Sequence, residues 1–297
     1  SAYAWSMPLY HLDESIVPGA PVLVAALDGW VNGGNAGTLA AEQLAMDGRV
    51  VATFDGDRLF DFRARRPTLD IVDGKLIDLE WPKLQLTAVQ IGDRDLLVLT
   101  GAEPDYAWRE LAADVVTLTQ RLQVSSWVSM GAIPATVAHT RPVPVLGTAS
   151  APGLLPAGVS QGPIGHLRVP AAALSVLELA VSEAGIPAVG FFAQVPHYAS
   201  GSFPSAAIEL LKHVGHYLAL ELPIGDLGRR ALETRALLDA ATSGDERTRT
   251  YVESMEEVAD AAGTPSGDEL IADIERYLRD RGPDGGDREG GGGGRPN

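Results

Sequence analysis

The run Pro21-Val22-Leu23-Val24-Ala25-Ala26-Leu27 opens directly into Asp28-Gly29-Trp30-Val31-Asn32-Gly33-Gly34-Asn35-Ala36-Gly37, and then into Thr38-Leu39-Ala40-Ala41-Glu42-Gln43-Leu44-Ala45-Met46. Seven residues without a charge read as a strand buried on both faces. The Gly- and Asn-rich loop reads as a turn, and the third segment as a helix. A buried strand, a glycine turn and a helix make the first half of a βαβ unit. In such sheets ligands collect beyond the carboxyl ends of the strands. This loop is therefore the first candidate site.

Further strands and helices extend the pattern. Strands are expected at 50–54, 84–91, 95–99, 126–130, 143–147 and 188–195, with an edge strand at 165–169. Leu69–Asp73 and Leu76–Trp81 alternate on either side of Gly74-Lys75, which predicts a hairpin. Leu111, Val115, Leu118 and Leu122 repeat at helical spacing within 106–122, and helices are also expected at 171–184 and 205–220. The alternation implies an α/β fold with a mostly parallel sheet covered on both faces, an inserted hairpin, and a core domain over residues 1–222. From Ile224 the composition turns to charged helix. Helices at 227–241, 245–262 and 270–281 suggest a C-terminal helical subdomain over 223–281. The Gly-rich stretch 282–297 is expected to be disordered.

Charge and composition exclude several function classes. A net charge of -16 argues against a nucleic-acid groove, since phosphate binding needs clustered Lys and Arg. Zero cysteines exclude disulfides, thiolate metal sites and a Cys nucleophile. No apolar run approaches the roughly 20 residues needed to span a bilayer. The first residues lack the basic segment and apolar core of a signal peptide, so the expected location is cytoplasmic.

The candidate chemistry is scattered. Asn32-x-Gly34-x-x-Gly37 has dinucleotide-fingerprint spacing, but Asn32 replaces the first glycine and the loop is longer than that tight turn. No cofactor is expected. The loop could still present backbone N–H groups to an anion at the helix start. Arg63, Arg65 and Arg66 form the densest basic group and could clamp a carboxylate or phosphate. Neutralising nearby acids such as Asp57 and Asp61, or holding a subunit contact, is the favoured reading. Gly101 and Glu103 lie on a second strand-end loop, Thr100-Gly101-Ala102-Glu103-Pro104-Asp105. His197 and Tyr198 follow the last strand, where a His could act as acid or base, but no Gly-x-Ser-x-Gly elbow accompanies them. Glu209, His213 and His216 share a helix face, yet a solvated surface explains them better than a metal, and no metal is expected. The catalytic residues, if the chain is an enzyme, are not identified by any of these patterns.

Several stretches together resemble a known family. Asp55-Gly56-Asp57 through Asp61-Phe62-Arg63-Ala64-Arg65-Arg66-Pro67, then Gly101-Ala102-Glu103-Pro104-Asp105-Tyr106-Ala107-Trp108, Thr140-Arg141-Pro142 and Pro196-His197-Tyr198 resemble the actinobacterial branch of the proteasome assembly chaperone two family. Pro265-Ser266-Gly267-Asp268-Glu269-Leu270 through Glu275-Arg276-Tyr277-Leu278 resembles that branch's C-terminal signature. The resemblance implies a three-layer α/β/α sandwich like the purine nucleoside phosphorylases. It implies a homo-oligomer such as a trimer, and a protein partner such as proteasome subunits, with no nucleic acid and no membrane. Some relatives dock through a hydrophobic-Tyr-x tail, which the terminal Gly294-Arg295-Pro296-Asn297 does not supply.

Three functions compete. One is a non-enzymatic assembly or scaffold role. Another is a nucleoside phosphorylase- or hydrolase-like enzyme, or a small-anion or nucleotide binder. It requires Asn32, Gly33, Gly34, the three arginines, Gly101, Glu103, His197 and Tyr198 to converge on one cleft. The third assigns an oligomeric interface to the charged helices from residue 224 onward.

Overall fold

A computed structural model describes residues 7–13 and 19–261. The opening apolar run forms a strand at Val22–Asp28 in the middle of a nine-stranded sheet. Successive side chains of a strand point to opposite faces, and here both faces are covered. Leu23, Ala25 and Leu27 enter one core, while Val22, Val24 and Ala26 enter the other. That two-sided burial is why the strand reads as unbroken apolar sequence.

In chain order the strands are β1 (Tyr10–Leu12), β2 (Val22–Asp28), β3 (Arg49–Phe54), β4 (Thr68–Val72), β5 (Lys75–Glu80), β6 (Leu84–Ile91), β7 (Arg94–Ala102), β8 (Ser126–Ala135), β9 (Val145–Ala149), β10 (Ser160–Gln161) and β11 (Ala188–Pro196). The helices are α1 (Ala36–Ala45), α2 (Gly56–Leu59), α3 (Trp108–Arg121), α4 (Ala173–Glu183), α5 (Pro204–Leu218), α6 (Leu227–Ser243) and α7 (Glu246–Ala261). The main sheet has the order β1-β3-β6-β7-β2-β8-β11-β9-β10. Helices α3 and α4 cover one face through Leu111, Val115, Leu118, Leu174, Leu177 and Val181. Helices α1 and α5 cover the other through Ala40, Leu44, Leu210, Leu211 and Val214. The result is the expected three-layer α/β/α sandwich.

Parallel pairing is confined largely to the centre, β7-β2-β8-β11. The β6–β7 pair is antiparallel because only Gly92 and Asp93 separate the two strands, too few residues for a crossover. No strand forms at 165–169. The strand nearest that stretch stops at Gln161, just before Pro163, which has no N–H to donate to a ladder. Strand β8 runs through Gly131 to Ala135, held by β11 along its length.

The predicted hairpin is β4–β5, a separate two-stranded sheet inserted between α2 and β6. Asp73 and Gly74 both take positive φ, as a type I′ turn requires. Helix α6 packs onto α5, and α7 packs onto α6. Among the described residues no helix is long and apolar enough to cross a membrane. The expected helix at 270–281 and the Gly-rich stretch lie outside the described residues.

Candidate functional site

The loops following β2, β7, β8 and β11 all leave the carboxyl edge of the parallel strands. Every sequence-predicted site residue lies on these loops, at the end of β7, or on the turn after α2. They nevertheless divide between two cavities, and some line neither.

The larger cavity is a cleft of about 480 Å³ between α1 and the foot of the hairpin. Arg65, Arg66 and Gly101 line it, joined by Asp28, Thr38, Glu42, Glu80, Trp81 and Lys83. Its walls thus carry three basic and three acidic side chains. Arg65 reaches Asp105 Oδ1 at 3.4 Å and donates to the Asp28 carbonyl at 3.4 Å, both long for hydrogen bonds. Lys83 sits 3.7 Å from Glu80. Burial raises the Glu42 carboxyl above its ordinary pKa, against the pull of Arg230. Gly101 has a φ of 140°, and a Cβ there would stand 2.0 Å from the Lys83 carbonyl. The β6–β7 corner therefore needs glycine for its backbone approach. Arg63 is exposed, and its backbone N–H donates to Asp61 Oδ1 at 2.9 Å.

The smaller cavity, about 200 Å³, is lined by Gly33, Gly34, His197 and Tyr198. The Gly34 carbonyl accepts from Phe203 N–H at 2.8 Å, which ties the opening loop to the start of α5. Asn32 faces inward instead. Its Oδ1 accepts from Thr38 N–H at 3.2 Å, and its Nδ2 donates to Thr38 Oγ1 at 2.9 Å and Asp28 Oδ1 at 3.3 Å. The residue that breaks the dinucleotide fingerprint is thus the clamp that holds the loop on α1.

Glu103 is also a brace. It is buried, with Oε2 accepting from Trp30 N–H at 2.9 Å and Oε1 from Ala173 N–H at 2.7 Å. The bond to Ala173 sets its charge at the amino end of α4, where a carboxylate is favourable. A Cβ on Gly29 would stand 2.0 Å from Glu103 Oε2, so the turn must have glycine to admit the carboxylate.

His197 and Tyr198 belong to a polar corner that binds α6 and α7 to the sheet. Its centre is His139, whose side chain has no solvent exposure. Tyr198 Oη accepts from His139 N–H at 2.8 Å and lies 2.7 Å from Nδ1, while Nε2 lies 3.1 Å from Asp239 Oδ1. This network is satisfied by a neutral ring: the Tyr198 hydroxyl donates to Nδ1 and Nε2–H donates to Asp239. Burial pushes the His139 pKa below its ordinary value despite the pull of Asp239. Burial pushes Tyr198 upward, the opposite of what a tyrosinate nucleophile or base would need. His197 Nδ1 lies 3.2 Å from the Ala135 carbonyl, and Nε2 lies 3.3 Å from Tyr251 Oη on α7. Arg141 makes a bidentate pair with Asp260, both contacts at 2.8 Å, and Thr140 donates to Glu256. Beneath these bonds Ala138, Val252 and Met255 form a small apolar cluster.

Sequence reasoning singles out His197, Tyr198 and the Thr140-Arg141-Pro142 stretch but misses His139 and Asp239. On α5, His213 Nδ1 lies 2.8 Å from the Glu209 carbonyl, and no group of metal-binding side chains occurs among the described residues.

Comparison with known proteins fits this geometry into a family. The PAC2 family profile matches residues 26–242. The chain belongs to the PAC2 family. Among solved structures, the Mycobacterium tuberculosis protein of unknown function Rv2714 is similar at 30% identity and a TM-score of 0.83, over 92% of this chain and 97% of its own. The M. tuberculosis proteasome-assembly chaperone homologue Rv2125 is similar at 32% identity and a TM-score of 0.70, over 78% of this chain and 99% of its own. At 19% identity, the Pyrococcus furiosus archaeal proteasome activator PbaB shares the fold, with a TM-score of 0.62 over 78% of this chain and 97% of its own. A comparison with curated proteins finds no significant match. The PAC2 match thus takes in both α/β faces and most of α6.

Proposed function

We propose that this PAC2 protein is a non-enzymatic assembly scaffold that works in the cytoplasm as a homo-oligomer and holds a protein partner, with proteasome subunits the first to test. The observation that carries the reading is the employment of the strand-end polar groups. Asn32, Glu103, His139, His197 and Tyr198 spend their hydrogen bonds on loops and helices of the same chain. Such an arrangement makes a stiff platform. Family membership and the likeness to Rv2125, a proteasome-assembly chaperone homologue, support that choice of partner class. Affinity capture from native lysate with the full chain, quantified by mass spectrometry, tests this. Reproducible enrichment of a protein complex is expected, and recovery of no specific partner overturns it.

One observation favours an alternative reading, small-molecule binding. Arg65, Arg66, Lys83 and Trp81 share the 480 Å³ cleft with Asp28, Glu42 and Glu80. Equal numbers of basic and acidic groups beside an indole suit a nucleotide or another aromatic ligand with both charges. Thermal shift against nucleosides, nucleotides, phosphate and sugar phosphates reads binding directly, because a ligand specific to the native state raises Tm by mass action. A shift that Arg66→Ala abolishes supports this reading, and no shift with any of them removes it.

A further inference from the structure

The larger cleft lies where the sheet reverses its winding. Strands β2 and β7 are parallel neighbours. The chain leaves β2 for α1, which covers one face, and leaves β7 for α3, which covers the other. Where two such connections diverge they open a crevice beyond the carboxyl ends of the strands, the usual seat of a ligand in an open α/β sheet. Asp28 from β2 and Thr100 and Gly101 from β7 line the 480 Å³ cleft. That volume falls within the range of small-ligand sites, about 300–1,000 Å³.

Its charges are sorted by side. The acids Asp28 and Glu42 come from the end of β2 and from α1. The bases come from the two segments at the foot of the hairpin, Arg65 and Arg66 before β4 and Lys83 after β5. The remaining acid, Glu80, stays with the bases, 3.7 Å from Lys83. The two sides do not close on each other. Arg65 pairs with Asp105 and reaches the Asp28 carbonyl rather than its carboxylate. Among the described residues no ion pair joins Asp28 or Glu42 to a base of the cleft, and Arg66 makes no ion pair. The Asp28 carboxylate accepts from Asn32 Nδ2 at 3.3 Å. Burial of the Glu42 carboxyl outweighs the pull of Arg230 and Lys83 and raises its pKa, so its neighbours leave it short of positive charge. A cleft whose opposite charges face each other unpaired suits a ligand that brings both.

The sheet sets the span. Ala102 at the end of β7 stands between Asp28 on β2 and Lys83 at the start of β6. Neighbouring strands lie about 4.8 Å apart, so the acid and base ends of the cleft floor are about 10 Å apart. A nucleotide brings anions and no cation, and leaves Asp28 and Glu42 unanswered. An α-amino acid carries both charges on one carbon, too close together for that span. A di- or tripeptide holds its ammonium and carboxylate several atoms apart, with a body to lie against Trp81, which is 49% exposed and held edge-on by Phe62 at 4.7 Å.

We infer that the cleft binds a short zwitterionic peptide, two or three residues long, with its ammonium group towards Asp28 and Glu42 and its carboxylate towards Arg66 and Lys83. The inference rests on the small-molecule reading of this cleft and names the ligand class within it.

Calorimetric titration of the full chain with glycyl-phenylalanine and trialanine, with their N-acetyl and C-amide forms, and with AMP separates the outcomes. The free peptides are expected to bind. Each cap removes one charge and should weaken binding about tenfold or more, as loss of a hydrogen bond between charged groups does. Two variants assign the ends. Glu42→Gln should weaken the free peptides and leave the N-acetyl forms unchanged, because those have no ammonium group to lose. Arg66→Ala should weaken the free peptides and leave the C-amide forms unchanged. Free and capped forms that bind equally overturn the inference, and this comparison needs no substitution. AMP binding that Arg66→Ala abolishes, with no binding of either peptide, overturns the peptide class and keeps the small-molecule reading. Binding of none of the compounds overturns the inference as well, and the thermal-shift panel then decides the small-molecule reading by itself.

Discussion

His139 and Leu76 stand at opposite ends of this protein's surface chemistry. The His139 side chain, a group at home in water, is completely enclosed and bonded at both ring nitrogens. The Leu76 side chain, which water disfavours, is 70% exposed and touches no core. The corner around His139 has the residue types of a reactive centre and is a brace. The arm around Leu76 has the sequence of an ordinary hairpin and is the more telling surface. Polar residues at strand ends need not converge on a substrate; here they fasten α6 and α7 to loops that the central sheet holds rigid. Seven of the twenty exposed large apolar side chains among the described residues lie at 69–81, and clustered apolar exposure marks a contact surface.

The contrast can be broken most forcefully at the brace. His139→Ala removes the acceptor of the half-buried Tyr198 hydroxyl's proton, leaving that oxygen only the backbone N–H of residue 139, and takes from Asp239 its ring N–H partner. The expected loss is about 2–3 kcal/mol of unfolding free energy, read by chemical denaturation. It should come with faster hydrogen exchange in α6 and α7 than in the central strands. A loss of a few tenths would mean the network is not structural.

The same brace should titrate. Folding holds the His139 pKa below its ordinary value of 6.5, so the unfolded chain takes up the proton first as pH falls. Its contribution is therefore full above that value and declines as pH drops below it towards the folded-state pKa. Glu42 and Glu178, whose carboxyls are raised by burial, slope the other way, with stability lost as pH rises above 4.5. The quantity to measure is therefore the difference between wild type and His139→Gln. That difference should narrow on going from about pH 7.5 to about pH 5.5. An unchanged difference would show that His139 does not carry the pH response.

The smallest effect belongs to the arm. With only its cross-strand neighbour Ile71 to lose, Leu76→Ser should change the unfolding free energy by less than about 0.5 kcal/mol. A larger loss in dilute solution would show that the chain covers its own arm and would erase the contrast.

The fold is legible where local pattern decides it. Strand β2 stands out because burial on both faces leaves no polar position in Val22–Leu27. The hairpin does so because Leu69 to Leu79 alternates about a turn whose Asp73 and Gly74 both take positive φ. Alternation establishes that the hairpin has an apolar side. It carries no information about what covers that side, so the exposure is visible only in three dimensions. The brace is illegible for a different reason. His139 bonds partners 59 and 100 residues away, and Glu103 bonds partners 70 and 73 residues away. No spacing rule connects them. His197 and Tyr198 are conspicuous for their position after β11, but their work depends on Tyr251 and His139. Asn32 reads as a defect in a glycine motif, and its role becomes visible only with Thr38 beside it.

Hydrogen–deuterium exchange of the full chain reads both regions in one experiment. Peptides covering the exposed hairpin, 68–81, are expected to exchange fast, while those covering α6 and α7 are protected and lose that protection in His139→Ala. Slow exchange in the hairpin, or unchanged exchange in α6 and α7 of the variant, would contradict the contrast.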